Sequence, residues 1–596
     1  MKIRSFLLSH LFVICLPLLS LALIPSLHAI TIVSGPGFVK ATAAPLAGTL
    51  SVATDVPSRV SVSVTDGTET WTRNFFDYSL THSLPLFGFK PGRDNEITVT
   101  VHDRFNNEVT AESPVRFLTG PLPANFPVFT VLVAKTDRME PGYNLVRCVV
   151  NSQLGYIIIV DNQGEVVWYS SMTAGSENRQ LENGNLLLVL PGSLNEVNLL
   201  GETVRKWNLP SNLNLDTHDV FFTDRNSILY IHPDSGSVPN FPINPTDPNA
   251  PRQTTTVQFD RIVEVAASAA INPPVINNWS LLNLLDPSRI TYLTFAKTAQ
   301  GLDIHHGNAI IEDPRDDSII VSIRDQNAVV AFKRETGQIK WILGPHENWS
   351  PAFQKYLLTP VGTPFEWNYG QHAPRITPQG TLLLYDDGNF RASPYNDSIP
   401  DSENYSRTVE YEINEATMEV KQVWEYGANV PEPLYTGSVG NAELLPKTGN
   451  ILIDFGNISY VNHAHPSATS TNASMARIKE VTHDENKEVL FDLAIFDYQN
   501  HSSTYAGNWA YRCYRIPDLY SHPAVAVTDL NVTFEDGVSL LQFSADTARE
   551  YAVQASDDLR TWDELGTAES TEDGLYTFED ADAENSGNRY YRVVTR

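Results

Sequence analysis

The stretches "DNQGEVVW", residues 161 to 168, and "RETGQIKW", residues 334 to 341, share one plan: a polar turn with glycine in fourth place, a short strand-like run, then tryptophan. The plan recurs in "LLGETVRKW" to Trp207, "PPVINNW" to Trp279, "ATMEVKQVW" to Trp424 and "ENKEVLF" to Phe491, which makes six units. A fixed phrase repeated along a chain marks a repeat architecture. A second phrase, a polar residue followed by an apolar strand, a turn and another apolar strand, alternates with it: "NRQLENGNLLLVL", "HDVFFTDRNSILYI", "HGNAIIEDPRDDSIIVSI", "HAPRITPQGTLLLYDD" and "NAELLPKTGNILIDF". Each unit therefore supplies about four short strands, the content of one propeller blade. The aromatic ends are 39 to 83 residues apart (207 − 168 and 424 − 341), so long loops must lie on one face.

Outward from this core the chain stays β-rich. Long runs of 3.6 period are scarce, and short β-branched and aromatic runs broken by Gly, Asn, Asp and Pro dominate. The expected fold is all-β: a six-bladed β-propeller over residues 123–522, an N-terminal β-sandwich over 30–122 ("RVSVSVTDGTETW", "EITVTVHD") and a small C-terminal β-sandwich-like module over 526–596 ("LLQFSAD", "RYYRVV"). The competing arrangement, two stacked sandwiches, gives a sixfold repeat no natural place.

The 596 residues exceed one ordinary core, and 42% hydrophobic with 19% charged residues is a globular balance. Formal charge is 41 − 70 = −29, and residues 526–596 hold 16 acidic against 5 basic side chains. Such a surface repels a phosphate backbone, so no nucleic-acid partner is expected. Residues 1–29 read as a signal peptide: Lys2 and Arg4, the apolar run Phe6 to Leu23 interrupted by Pro17, then Leu27-His28-Ala29 before the cut. A membrane anchor is the alternative, because the run approaches spanning length. The expectation is a periplasmic or secreted protein with no stable membrane insertion. Its two remaining cysteines, Cys148 and Cys513, either form one bridge or stay as buried thiols.

Aligning the second phrase puts Asn178, His218, His306, His372 and Asn441 at one repeat position, and in a propeller such positions surround the central channel. Three histidines should converge there. Asn308, two residues after His306, is expected on the same strand face, and Arg324 on the second strand of its hairpin, where it needs an anion such as Asp325, Asp303 or a ligand. Arginine, amide and imidazole donors suit an oxyanion, and one neutral imidazole can act as nucleophile. His305, His346, His463 and His465 read as structural.

At these residues the chain resembles the bacterial arylsulfate sulfotransferases. The resemblance rests on "DIHHGNAI", "SIRDQNAVV", "KWILGPHENW", "YGQHAPRI", "LLYDDGN", "YSRTVEYEI" and "VKQVWEYG", in the family's order. It implies an exported six-bladed propeller with a leading sandwich, and a transfer of a sulfuryl group from an aryl sulfate to a phenol. By the same resemblance His372 would be the nucleophile that is transiently sulfated, and His218, His306, Asn308 and Arg324 would bind the sulfuryl oxygens. The sequence departs from the family in Asp325, where His or another uncharged residue is expected, and in the closing acidic module, which suggests attachment or a partner. The first bears on donor specificity.

The chemistry of the residues agrees: pre-aimed donors stabilise the charge that builds on a transferring group, and a covalent intermediate splits the transfer into ping-pong halves. No G-x-x-x-x-G-K-[ST] loop is present to hold a nucleotide donor. Neither a cofactor nor a metal is expected, and a homodimer stands as one assembly. Two alternatives remain open, a non-catalytic propeller that binds a ligand or polymer, and a metal- or quinone-dependent oxidoreductase.

Overall fold

The computed structural model describes residues 30–595 except 106, 152–153, 173–176, 182, 217, 467–473, 498–507, 521–527, 536, 546–550, 558–561, 571–574 and 584–588. The expected signal segment, residues 1–29, therefore lies outside the described residues. The all-β expectation holds: among the described residues helix is confined to Leu281–Leu284 and four short 3-10 turns.

Between Phe129 and Ile516 the strands form six sheets, each built on four antiparallel strands, with a short parallel strand added to two of them by Gly301–Asp303 and Thr359–Pro360. The sheet of Gly307–Glu312, Ser318–Ile323, Ala328–Lys333 and Ile339–Leu343 is the simplest. Each aromatic that ends the first phrase sits on the fourth strand of its sheet, as Trp168 does in Val166–Met172 and Trp341 in Ile339–Leu343. Trp168, Trp207, Trp341 and Phe491 are buried. The first sheet takes its first strand from the far end of the region: Trp509–Ile516 pairs antiparallel with Tyr143–Val149, with Cys148 opposite Ala510 and Cys513 opposite Val146. The last sheet takes an extra outer strand from the near end, Phe129–Ala134 on Val489–Ile495.

The apolar cores lie between consecutive sheets. One cluster joins Ile311, Val329 and Trp341 to Leu384, Val409 and Tyr411, the next joins Leu383 and Tyr385 to Ile453 and Phe455, and another joins Leu452 and Ile478 of the last sheet to Val146 and Ile158 of the first. Side chains from both faces of each sheet are thus removed from water, which accounts for continuous apolar strands such as Ser318–Ile323, buried at every position.

Residues 30–118 form a separate six-stranded sheet around Gly48–Thr65, whose burial alternates with the period of two of a strand covered on one face. Its core runs into that of the first and last sheets of the following region. Lys90 reaches Asp161 at 3.3 Å, and the Tyr520 hydroxyl accepts from the Phe87 amide at 3.1 Å. The C-terminal residues make two small sheets over their own core of Leu541, Phe543, Tyr551, Val553 and Tyr576. Cys148 and Cys513 are free, buried thiols, the second of the two states expected, and burial raises both thiol pKa values.

Candidate active site

His372 begins the first strand of its sheet, His372–Ile376, and is almost wholly buried. Its Nδ1 lies 3.1 Å from the Gly370 carbonyl. A carbonyl can only accept, so the proton of the neutral ring belongs on Nδ1 and the lone pair on Nε2. The same Nδ1 is 2.9 Å from Asp387 Oδ2, outside hydrogen-bond direction, and that oxygen is also 4.0 Å from Arg324 Nε. Burial and the charges of Arg324, Arg512, His306 and His218 hold the His372 pKa well below the ordinary histidine value. The imidazole is therefore uncharged across the neutral range.

Arg324 lies one residue beyond Ser318–Ile323, in the turn Arg324–Gln326, and not on the second strand of the hairpin. The turn ends on Asn327 at φ 49°, which lets the chain reverse immediately after the strand and throws the guanidinium inward. There it donates to Asp325 Oδ1 at 2.8 Å, to the Gly437 carbonyl at 3.1 Å and to Asn389 Oδ1 at 3.3 Å. Asp325 is the expected carboxylate partner. Asp303 belongs instead to His306, whose Nδ1 is 2.9 Å from Asp303 Oδ2.

His306 and His218 stand together, ring centroids 4.9 Å apart in an edge-on arrangement. The Nδ1 of His218 is bonded to Asp216, so each of the two rings is held by a carboxylate. Burial disfavours a charge on His306, but the Asp303 hydrogen bond and the nearby Asp325 outweigh it and lift the pKa to about 9. Asp325 is itself pushed up to about 6 by burial, partly offset by Arg324. His306 is thus a cation at neutral pH, and His372 is not. About a third of the His306 side chain and a quarter of His218 remain accessible, at 33% and 26%.

Asn308 departs from the simple strand-face argument. His306 has a left-handed φ of 50°, and the pairing with Ser318–Ile323 shifts between Gly307 and Ala309, so alternation does not carry from 306 to 308. Asn308 instead ties neighbouring sheets together: its Nδ2 donates to the Gln371 carbonyl at 2.8 Å, beside His372, while its buried Oδ1 has no hydrogen-bond partner. Its carbonyl accepts from Arg512 Nη2 at 2.8 Å. Of the structural histidines, His305 is buried and its pKa falls to about 4, whereas His346 bonds the Leu358 carbonyl.

Sequence reasoning missed Arg512, Tyr511 and Asp387. Arg512 is buried against Glu177 at 2.9 Å and Asp219 at 3.3 Å, and the Tyr511 hydroxyl donates to the His218 carbonyl at 2.9 Å. Both lie on the strand that returns from the far end of the chain, which carries no copy of either repeated phrase. Asp387 lay in plain view in "LLYDDGN", but nothing in that string distinguishes it from Asp386, which binds Arg407 and Arg391. Among the described residues, Asp303, His306 and Asp325 form the group whose donor atoms could hold a metal ion, all within 4.8 Å. The guanidinium of Arg324 already shares that Asp325 carboxylate, a cation next to the place a second cation would take.

Comparison with known proteins adds a lineage. Residues 129–512 match the family model described as arylsulfotransferase (ASST), and residues 40–116 match the arylsulfotransferase Ig-like domain. The arylsulfate sulfotransferase AssT of Escherichia coli O6:H1 is 26% identical over 386 residues, covering 55% of this chain and 62% of that protein. The protein of the same name from Lelliottia amnigena is 27% identical over 270 residues, 37% of this chain and 44% of its own length. The matches thus span less than two thirds of either curated relative.

Proposed function

Because the chain belongs to the arylsulfotransferase (ASST) family, we propose that it moves a sulfuryl group from an aryl sulfate to a phenol by a ping-pong route through a sulfated His372. The observation that carries this reading is the state of His372: Nδ1 is engaged by the Gly370 carbonyl, Nε2 is left basic, and the ring is kept neutral in a cationic surrounding.

In the first half, the Nε2 lone pair forms a bond to sulfur as the bond from sulfur to the aryl oxygen breaks, and the electron pair leaves on the aryl oxide. Positive charge grows on the imidazole, whose Nδ1 proton is held by the Gly370 carbonyl at 3.1 Å, while Asp387, 2.9 Å from Nδ1, has its carboxyl pKa raised well above the ordinary value by burial. Negative charge grows on the sulfuryl oxygens and the leaving oxygen, where Arg324 and the cationic His306 oppose it. His306, restrained by Asp303, can pass its proton to the aryl oxide. In the second half a phenol attacks sulfur, its proton goes to the base left behind, and Nε2 recovers its lone pair. The accessible rings of His218 and His306 mark the side from which substrate approaches.

The same proposal includes a six-bladed propeller, supported by the six sheets and by apolar clusters that join each sheet to the next and the last to the first. It also includes export, supported by the composition of residues 1–29. Mass spectrometry of protein mixed with 4-nitrophenyl sulfate without acceptor should find one acid-labile sulfuryl adduct on the peptide containing "NYGQHAPR", absent in His372→Asn. Turnover with no adduct on any histidine would instead mean direct transfer between two bound substrates.

A further inference from the structure

The first strands of four sheets, Asn178–Gln180, His372–Ile376, Asn441–Leu444 and Trp509–Ile516, bring His372, Tyr511 and Arg512 to the histidine cluster, and their last residues line a separate cavity of about 560 Å³. On His372–Ile376 the cavity begins at Arg375, three residues beyond His372 and past a bulge at Ala373, φ 49°. That volume falls within the range of about 300–1,000 Å³ usual for small-molecule sites.

Its charges do not cancel. Arg179 is neutralised by Asp219 at 2.6 Å and Glu177 at 3.0 Å, and Arg515 by Glu480 at 2.7 Å. Glu443 accepts from the Arg515 amide at 3.0 Å, and burial pushes its carboxyl upward. Arg375 is left over. Among the described residues it forms no ion pair: Nη2 donates to the Tyr514 hydroxyl at 3.3 Å, the Tyr514 ring lies 5.9 Å away, and its charge acts on the Glu443 and Asp219 carboxyls without ion-pair contact. Glu312 and Asp224 line a smaller cavity of about 280 Å³ that Arg375 also borders. Apolar groups form much of the wall there, including Leu181, Ile376, Leu383, Leu444 and Tyr520.

A half-buried guanidinium with no carboxylate in ion-pair contact is costly, and its planar fork matches a carboxylate or another flat array of oxygens. We propose that this cavity is a second binding site, for a small aromatic monoanion whose acidic group pairs with Arg375 and whose ring lies against Leu181, Ile376, Leu444 and Tyr520. Nothing in this depends on sulfuryl transfer at His372.

The test is a fluorescence titration of the full chain with 2-naphthoate, which carries no transferable group. One saturable site is expected, weakened by about tenfold or more in Arg375→Gln, the scale of a lost charge-assisted hydrogen bond. Arg324→Gln should leave the dissociation constant within about twofold, since that side chain serves the other site. Arg375→Lys, which keeps charge and loses the fork, should weaken binding by about threefold or more and stands in if the Gln variant does not fold. No saturable binding up to about 10 mM, where even a millimolar site would be filled, would overturn the proposal, as would equal affinity in the Arg375 variants. Binding that is lost in Arg324→Gln would place the ligand at the histidine cluster and overturn it too.

Discussion

Two imidazoles near enough for the charge of one to act on the other, His306 and His372, are held in different charge states, and this governs the expected pH profile. His306 is protonated up to about 9, so rising pH through that value removes a cation that the proposed transfer sets against the sulfuryl oxygens, and kcat/KM should fall above it. His372 is held neutral well below the ordinary value of about 6.5, so a fall in that region is not due to its protonation. Asp325, at about 6, supplies the acidic limb, because protonating it releases Arg324 and withdraws support from His306. Asp325→Asn should therefore erase the acidic limb and move the basic limb down by about one unit, the effect of removing one nearby opposite charge. An acidic limb near 6.5 that survives the substitution would show that His372 titrates normally. Arg324→Lys, which loses the fork aimed at planar oxygens, should lower kcat/KM by about ten- to a thousandfold. Activity equal to the parent would make Arg324 a structural partner of Asp325 alone.

The strand that presents His372 depends on a glycine whose replacement is easily checked. Gly370 has φ +68°, its amide donates to Asn327 Oδ1 at 2.8 Å, and a Cβ there would stand 2.1 Å from Asn389 Oδ1. Asn389 is also a ligand of Arg324, so Gly370→Ala should push it away and cost about 1–3 kcal/mol in backbone strain. A severalfold loss of kcat with an unchanged circular dichroism spectrum is expected, and wild-type kcat would show that the turn yields without moving Asn389. Elements of this kind mark the limit of sequence reading. Repeated phrases placed the starts of the first strands at Asn178, His372 and Asn441, and the aromatics on the fourth strands, because both follow from a period written in the chain. The left-handed backbone at His306 and the bulge at Asn308 were not legible, since neither residue type requires them and only contact with the neighbouring sheet imposes them. Arg512 was hidden for a similar reason: it faces Asn308 across 204 residues of sequence.

Long-range closure also separates what the chain needs for the site from what it carries besides. Trp509–Ile516 completes the first sheet and delivers Tyr511 and Arg512 to His218 and Asn308, and Tyr520 then anchors the segment on Phe87 and under Arg73, 4.2 Å from its ring. Beyond it, the C-terminal module has a core drawn wholly from residues 541–593, and its side chains contribute none of the contacts described around the three histidines. A chain ending after Tyr520 should fold and should form the His372 adduct at a rate within about twofold of the full chain, as independent units behave. A chain ending before Trp509 removes one edge of the first sheet and leaves the two buried carboxylates Glu177 and Asp219 to share Arg179 once Arg512 is gone, and a buried carboxylate short of a cation is strongly destabilising. It should be insoluble or lack a cooperative thermal transition. Adduct formation that disappears in the chain ending after Tyr520, with its transition intact, would make the acidic module part of the catalytic unit and not an appendage to it.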